Sequence, residues 1–541
     1  MYKTLLSTLP KLPIHPITLL MLVSVFVTLT GNITFFSKLN VIYPFFSFWV
    51  FSLSIVLVIV SMTSLLCLVL NALLPLKVAV TLVLVITVLS SHYTDQFGII
   101  INTDMIRNAI ETDTSEAADL FSIKLLIEFV LLCILPLILV STCTIKKLTL
   151  IVAIIHSSLA LIGCLLVIAI CVFGFSNQYA SFIREHKSLR TYITPLQPIY
   201  AAVKFTSNSL ASHAEQTLVM MTANSSVPTT DAHKELIIMV VGETARADHF
   251  SLNEYHRKTN PIIEQESNII NFTDITSCGT STAISVPCMF SVLPQKTFNI
   301  DKAKHTQNVL DILAKANVSV LWRDNNSDSK NVADRVPYQS YRNVDVNPIC
   351  DTECRDVGML NGLQEYIDNQ QQDIFIVLHQ MGSHGPAYYK RYPKEFEIFS
   401  PACQTNVLSN CSDQQIINAY DNSIVYTDYF LSKVIALLKH NSPKYETSMF
   451  YVSDHGESLG ENNVYLHGLP FSFAPQAQKK VPLIVWVGES SDINVQKTLT
   501  LKDIPNSHDA VSHAILAAFE IQSDIQPLNI LPLLKMNHET D

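Results

Sequence analysis

The stretch Leu236-Ile237-Ile238-Met239-Val240-Val241-Gly242-Glu243-Thr244 runs six apolar residues into a glycine and then an acidic, hydroxyl-bearing end. A run that is apolar at every position, rather than at alternate ones, suits a strand covered on both faces, as in the middle of a parallel sheet. Four more such runs follow, at Val318–Trp322, Ile374–Leu378, Met449–Val452 and Pro482–Val487. Helical patterns lie between them, as at Asn308–Ala316 and Asn418–Leu438, so this half of the chain reads as an α/β sandwich. In such sheets ligands bind beyond the carboxyl ends of the strands.

The residues just past those ends share one chemistry. The first run leads into Glu243, Thr244, Arg246, Asp248 and His249, and the second into Asp324, Asn325, Asn326, Asp328 and Lys330. The third gives His379 and His384; the fourth gives Ser453-Asp454-His455-Gly456-Glu457, with His467 beyond. Carboxylates and imidazoles converging at one sheet edge are the ligand types zinc takes. A single Asp-His pair after a strand is commonly a turn and a helix cap, but four clusters at successive strand ends together point to a metal site. A further segment, Ser277-Cys278-Gly279-Thr280-Ser281-Thr282-Ala283, runs on to Ser285 and Cys288. Small hydroxyl residues cap helices, yet a metal-activated hydroxyl is also a nucleophile. Spacing leaves Thr280, Ser281, Thr282 and Ser285 as alternatives.

Working outward to the amino terminus, the character changes. The whole chain is 49% hydrophobic and only 15% charged, and that average conceals an apolar first third. Spans of roughly 20 apolar residues cross a bilayer. Five candidates occur near Ile17–Phe36, Phe46–Leu70, Lys77–Ser91, Leu125–Val140 and Leu148–Phe175. Lys3, Lys11, Lys77, Lys146 and Lys147 fall on one side of such a layout, against Lys38 on the other. The positive-inside rule then puts the amino terminus in the cytoplasm and everything after Phe175 outside. Residues 1–175 are thus expected to form a transmembrane domain. Residues 176–233 should be an amphipathic bridge and polar linker, and 234–541 the exported catalytic domain.

Cys278, Cys288, Cys350, Cys354, Cys403 and Cys411 all lie in the soluble part, an even number without zinc-ribbon spacing. Disulfides in an oxidising compartment are the better reading. The net charge of −10 argues against a nucleic-acid partner.

The stretches VVGETARADH (240–249), TSCGTSTAISVPCM (276–289), LWRDNNSDSK (321–330), LHQMGSHGPAYYKRY (378–392) and YVSDHGESLGE (451–461) resemble the lipid A phosphoethanolamine transferases, including the mobile colistin-resistance enzymes. The resemblance implies five membrane helices followed by a sulfatase-like, alkaline phosphatase-like α/β domain in the inner membrane of a Gram-negative bacterium. It implies one tightly held Zn2+ on Glu243, Thr282, Asp454 and His455, with Thr282 as nucleophile. His384 and His467 would meet the phosphoethanolamine head group or a second zinc. Asn326 and Lys330 match substrate contacts, and Asn108, Thr112 and Glu116 match loop positions that help hold the donor lipid. The donor would be phosphatidylethanolamine, the acceptor a phosphate of lipid A, the working unit a monomer, and the consequence polymyxin resistance. The pairs Cys278–Cys288 and Cys403–Cys411 fit the family. Cys350 and Cys354 stand closer together than in relatives, although an i, i+4 pair can meet the roughly 4.4–6.8 Å Cα separation of a disulfide. The rival readings are a transferase of another head group, such as phosphoglycerol, a hydrolase that discharges to water, and a lipid-binding protein without zinc.

Overall fold

The computed structural model describes residues 13–111, 114–212, 217–228, 233–525 and 532–536. Two compact units emerge from its contacts: residues 13–106 with 121–206, and residues 107–120 with 207–536.

The first unit is helical. Helix α1 (Pro16–Thr30) meets α2 (Ile33–Ile42) at a 62° bend, so the expected first span is a broken pair rather than one rod. The cause is local. Gly31 packs against α4 so closely that a Cβ would meet Thr87 Cγ2 at 2.3 Å. Buried Asn32 then donates to the Thr28 and Thr194 carbonyls and accepts from the Thr194 amide, diverting backbone groups from the helical ladder. Helices α3 (Phe45–Leu73) and α4 (Leu76–Phe97) follow, then the short α5 (Thr103–Glu111). α6 covers Ile123–Thr142 with a π turn at Val130–Ile134, and α7 covers Leu150–Gly174. Four helices are long and apolar enough to cross a membrane, five if the bent pair is one span. Leu131, Leu139, Ile151, Ile162 and Phe173 stay exposed, as surfaces facing lipid would. The expected third span runs on past Ser91 to Phe97. Helices α8 (Ser176–Glu185) and α9 (Leu196–Ser212) occupy the expected bridge.

The second unit is built on an eight-stranded sheet. In chain order the strands are β1 (Glu235–Gly242), β2 (Ile269–Thr276), β3 (Ser319–Asp324), β4 (Tyr338–Ser340), β5 (Ile374–His379), β6 (Glu446–Ser453), β7 (Lys480–Val487) and β8 (Asn506–Ser507). Their order across the sheet is β8-β2-β7-β6-β1-β5-β3-β4. Five neighbours, β4, β3, β5, β1 and β6, run parallel, but β7 is antiparallel to both β6 and β2. The sheet is therefore mixed, not parallel throughout. Ile237, Met239 and Val241 share a core with α10 (Thr282–Met289), α12 (Val309–Lys315) and α14 (Val511–Ala518). The alternate residues Leu236, Ile238 and Val240 are also fully buried, and the 29-residue α13 (Asp413–Asn441) packs on β1 and β6. Cover on both faces explains the unbroken apolar runs. A short helix, α11, spans Ile300–Ala303.

Candidate active site

The parallel strands deliver their polar ends to one edge of the sheet. Gly242 ends β1 where Tyr451 leaves no room: a Cβ would stand 2.7 Å from its ring. Thr244 then takes φ 51°, a left-handed value costly for a β-branched residue. Three bonds over-determine the turn: Thr244 N donates to Asp454 Oδ1 (3.1 Å), Ala245 N to Ser453 Oγ (2.8 Å), and Tyr420 OH to the Thr244 carbonyl (2.7 Å). Glu243 is thereby fixed beside the end of β6.

Thr282 is the first residue of α10, and the hydroxyls of Thr280 and Ser285 nearby are otherwise engaged. Thr280 donates to the Leu469 carbonyl at 2.6 Å, and Ser285 donates to the Asp454 carbonyl. Ser281 is the N-cap residue. Thr282 Oγ1 stands 3.2 Å from each Glu243 carboxylate oxygen and 3.3 Å from His455 Nε2. His455 Nε2 in turn lies 3.5 Å from Glu243 Oε1 and 3.3 Å from Asp454 Oδ2. Ligand atoms of a tetrahedral zinc at roughly 2.0 Å stand about 3.3 Å apart, so this spacing fits one cation at the centre. Two further observations agree. Asp454 Oδ2 is buried without a hydrogen-bond partner. Burial pushes His455 down to about 4, despite Asp454, so its ring is neutral. Its Nδ1 bonds the Gly456 carbonyl at 2.9 Å, which turns the Nε2 lone pair inward. Glu243, Asp454 and His455 are all fully buried, and carboxylates in such a place call for a counter-charge.

Around this cluster sit the groups named from the sequence. Asn326 donates to Glu243 Oε2 (2.8 Å) and to the Gln380 carbonyl (2.7 Å), so its amide braces a carboxylate of the cluster. Asp324 orients it: it accepts from the Asn326 amide and bonds His379 Nδ1 and Trp322 Nε1. Burial raises the Asp324 carboxyl, but these partners overcome it and hold the group below its usual range. His379 is thus a structural partner of Asp324, and His249 is likewise bonded to Asp421 (2.6 Å). Lys330 donates to Ser327 (2.7 Å) and to the Glu111 carbonyl (3.1 Å). His384 is half-buried, with its Nδ1 buried and unpartnered, and desolvation followed by the neighbouring His467 pushes it well below its usual value. His467 Nδ1 bonds Glu457 Oε2 (2.8 Å), and its ring lies 4.3 Å from that of His455 and 5.4 Å from that of His384.

The segment Arg107–Leu120 belongs to this unit. Arg107 pairs with Asp301 at one end. At the other, Asp119 pairs with Lys390 (2.5 Å) and Arg391 (2.9 Å), and Arg391 also donates to the His384 carbonyl (2.6 Å). Asn108 lies on α5 within this strap; Thr112 and the Glu116 side chain fall outside the described residues.

Sequence reasoning gave no role to Glu457, which fixes His467 and accepts from Tyr388 OH (2.7 Å), nor to His508, bonded to the Ser453 carbonyl (3.0 Å) beneath the site. Glu457 stood inside a quoted motif, whereas His508 follows no apolar run and carried no signal. Three disulfides join Cys278–Cys288, Cys350–Cys354 and Cys403–Cys411. The Cys350–Cys354 Cα separation is 3.9 Å, below the expected range, because the two residues face each other across a tight antiparallel bridge.

The family model described as phosphoethanolamine transferase EptA/EptB matches residues 55–210, and the one described as sulfatase matches residues 235–521. Phosphatidylethanolamine transferase Mcr-2 of Escherichia coli is 41% identical over 519 residues, covering 94% of this chain and 96% of that protein. Phosphoethanolamine transferase EptA of E. coli K12 is 36% identical over 87% of each chain. Among solved structures, the integral membrane lipooligosaccharide phosphoethanolamine transferase A of Neisseria meningitidis superposes with a TM-score of 0.86, at 31% identity over 93% of this chain and 95% of that one. Helical unit, mixed sheet and buried carboxylate–imidazole–threonine cluster all agree with this kinship: the chain belongs to the phosphoethanolamine transferase family, with a sulfatase-type catalytic unit.

Proposed function

We propose that the chain transfers phosphoethanolamine from phosphatidylethanolamine to a phosphate of lipid A through a covalent intermediate on Thr282. The observation that carries this reading is the Thr282 hydroxyl held 3.2 Å from both Glu243 oxygens and 3.3 Å from His455 in a buried cluster. Glu243, Thr282, Asp454 and His455 would hold one Zn2+. When bound, the ion lowers the pKa of the threonine hydroxyl and offsets charge on the phosphoryl oxygens. The relatives' names, a phosphatidylethanolamine transferase among them, support the donor.

In the first step Thr282 Oγ forms a bond to the donor's phosphorus, its proton passing to His467 Nε2, and the phosphorus–glycerol oxygen bond breaks. Diacylglycerol leaves with a proton, for which His467 Nε2 is the delivering atom, since Nδ1 is bonded to Glu457. In the second step an oxygen of a lipid A phosphate attacks the same phosphorus, and Thr282 regains its proton. Asn326 holds Glu243 in place, while His384 and Lys330 line the path of the head group; Asn108, Thr112 and Glu116 serve the donor lipid. The apolar helices fit a protein of the inner membrane. The lysine asymmetry and three disulfides support a cytoplasmic amino terminus and a periplasmic catalytic unit. Adding an ammonium group to an anionic phosphate weakens attraction for polymyxins.

The test is the mass of lipid A from Gram-negative cells expressing the chain beside a Thr282→Ala control. A phosphoethanolamine-sized increase that requires the threonine supports the reading. No increase from folded, membrane-inserted protein would overturn lipid A as acceptor.

A further inference from the structure

A transferase of this kind must receive two amphiphiles of different charge, and two of the cavities in the catalytic unit differ in character. One, about 790 Å3, lies beside Asn326 and is walled by Glu111, Asp119, Asp328, Asp351 and Glu353 against only Arg342 and Lys390. Each of these carboxylates is paired with a basic side chain of the unit, and a wall of mixed charge suits a zwitterionic lipid whose head ends in an ammonium.

The other cavity, about 430 Å3, has the opposite character, and of its lining residues only Lys330 has a part in the chemistry above. Its floor is apolar, from Leu293, Phe298 and Val332, and Lys302, Lys304 and Lys330 stand at its wall. Pro287, which also lines it, is on α10, the helix that begins at Thr282. A smaller cavity of about 110 Å3 shares Ala303, Lys304, Lys330 and Asn331 with it and reaches Ala283, next to Thr282 in the chain. Lysines beside apolar lining residues, with four residues shared with the cavity that reaches Ala283, describe a pocket for an anionic amphiphile. Lys302 and Lys304 are exposed and form no direct ion pair among the described residues, Asp301 and Asp311 being paired with Arg107 and Arg335, while Lys304 acts at longer range on Glu111 and Asp334. In a chain of net charge −10, two such lysines over an apolar floor form a local reversal of sign. A space of this size falls within the roughly 300–1,000 Å3 of ordinary ligand sites.

We infer that this cavity is the acceptor subsite, taking a phosphorylated, acyl-bearing sugar with its phosphate at Lys302 and Lys304. The inference rests on the transfer reaction proposed above. It assigns the lysine-walled cavity to the polyanionic acceptor because that lipid has no ammonium group for the carboxylate-rich one.

The experiment uses the full chain in lipid nanodiscs, with fluorescent phosphatidylethanolamine as donor and lipid A as acceptor. In the double variant Lys302→Glu/Lys304→Glu, KM for lipid A should rise tenfold or more, the loss expected from about one charge-assisted hydrogen bond. Donor cleavage without lipid A should stay within about twofold of wild type, the scatter expected of surface changes away from the reacting atoms. Lys302→Arg/Lys304→Arg should behave like wild type. A KM that does not move, or donor cleavage that falls in step with transfer, overturns the assignment. Binding of fluorescent lipid A to the Thr282→Ala chain, with and without the charge reversals, reads the pocket without turnover: affinity lost with the reversals supports the subsite, and affinity retained overturns it. A wild-type chain that cleaves donor but never modifies lipid A refutes the transfer reaction instead, and the binding measurement still decides the pocket.

Discussion

Asn326→Ala removes one amide that donates both to Glu243 Oε2 at 2.8 Å and to the Gln380 carbonyl at 2.7 Å. Glu243 has no water to turn to, being fully buried. Loss of a hydrogen bond to a charged group costs about 1.5–3 kcal/mol. If Glu243 holds the ion only when so braced, the loss appears as roughly a 10- to 150-fold fall in zinc affinity or kcat/KM. Removing a group behind a metal ligand in other enzymes costs about 10–100-fold, which agrees. Asn326→Asp should be worse than Asn326→Ala, because it sets a like charge against a buried carboxylate. The assay is phosphoethanolamine transfer to lipid A by purified full-length protein across a series of buffered free zinc concentrations. Added zinc should restore part of the Asn326→Ala loss and little of the Asn326→Asp loss. Transfer by Asn326→Ala within twofold of wild type at limiting zinc would refute the view that this amide braces Glu243.

Thr282→Ala should abolish transfer and the phosphoethanolamine-modified peptide while leaving the protein folded at saturating zinc, since the hydroxyl serves the cluster rather than the core; a modified peptide elsewhere in the chain would move the nucleophile. Stripping zinc with a chelator should lower the unfolding temperature of the catalytic unit, because an ion held at a thousand times its Kd contributes about 4 kcal/mol; calorimetric traces that coincide with and without chelator would remove the metal from the site. Burial pushes the Asp428 carboxyl up to about 7, against the amides of Ile262 and Ile263 that favour its ionised form. The folded group therefore binds its proton more tightly than the unfolded one, whose pKa is about 3.9. Its contribution is complete below about pH 4 and is lost as pH rises towards 7, a span of about 4 kcal/mol at 1.36 kcal/mol per unit. Asp428→Asn should flatten that part of the stability–pH curve, and parallel curves for the two proteins would show that Asp428 ionises normally.

The legible part of the fold was the part in which burial leaves a chemical trace. β1, β3, β5, β6 and β7 were visible because helices cover both faces of the sheet and every position had to be apolar. The same cause hid the direction of β7: an unbroken apolar run reports cover on two faces, not whether the neighbours run parallel. β2 escaped notice because Asn271, Thr273 and Asp274 interrupt its apolar residues, and β4 and β8 have only three and two residues. In the helical unit, hydropathy reported length but not the bend at Gly31-Asn32, which depends on a close approach and an amide bonded to Thr194, far along the chain. At the site, the strand ends gathered many polar residues at one sheet edge and left four hydroxyls open; the resemblance singled out Glu243, Asp454, His455 and Thr282, and the partners of Thr280 and Ser285 agree with that choice. Asn326 read as a substrate contact because nothing in LWRDNNSDSK reveals that its amide is turned toward Glu243.

The strap Arg107–Leu120 also alters where the enzyme can be cut. The chain passes between its two units three times, at 106–107, 120–121 and 206–207, so no single nick sets the catalytic unit free. A fragment starting at Ser207 would keep the sheet and the carboxylate cluster yet forfeit Asp119, leaving Arg391 and Lys390 without that shared counter-ion. It would also lose the Glu111 carbonyl that receives Lys330. The catalytic unit, counted by its contacts, is thus discontinuous in sequence. Fourteen residues borrowed from between two apolar helices are as much a part of it as the strands, and shuffling the helical half between relatives would carry this insert along with it.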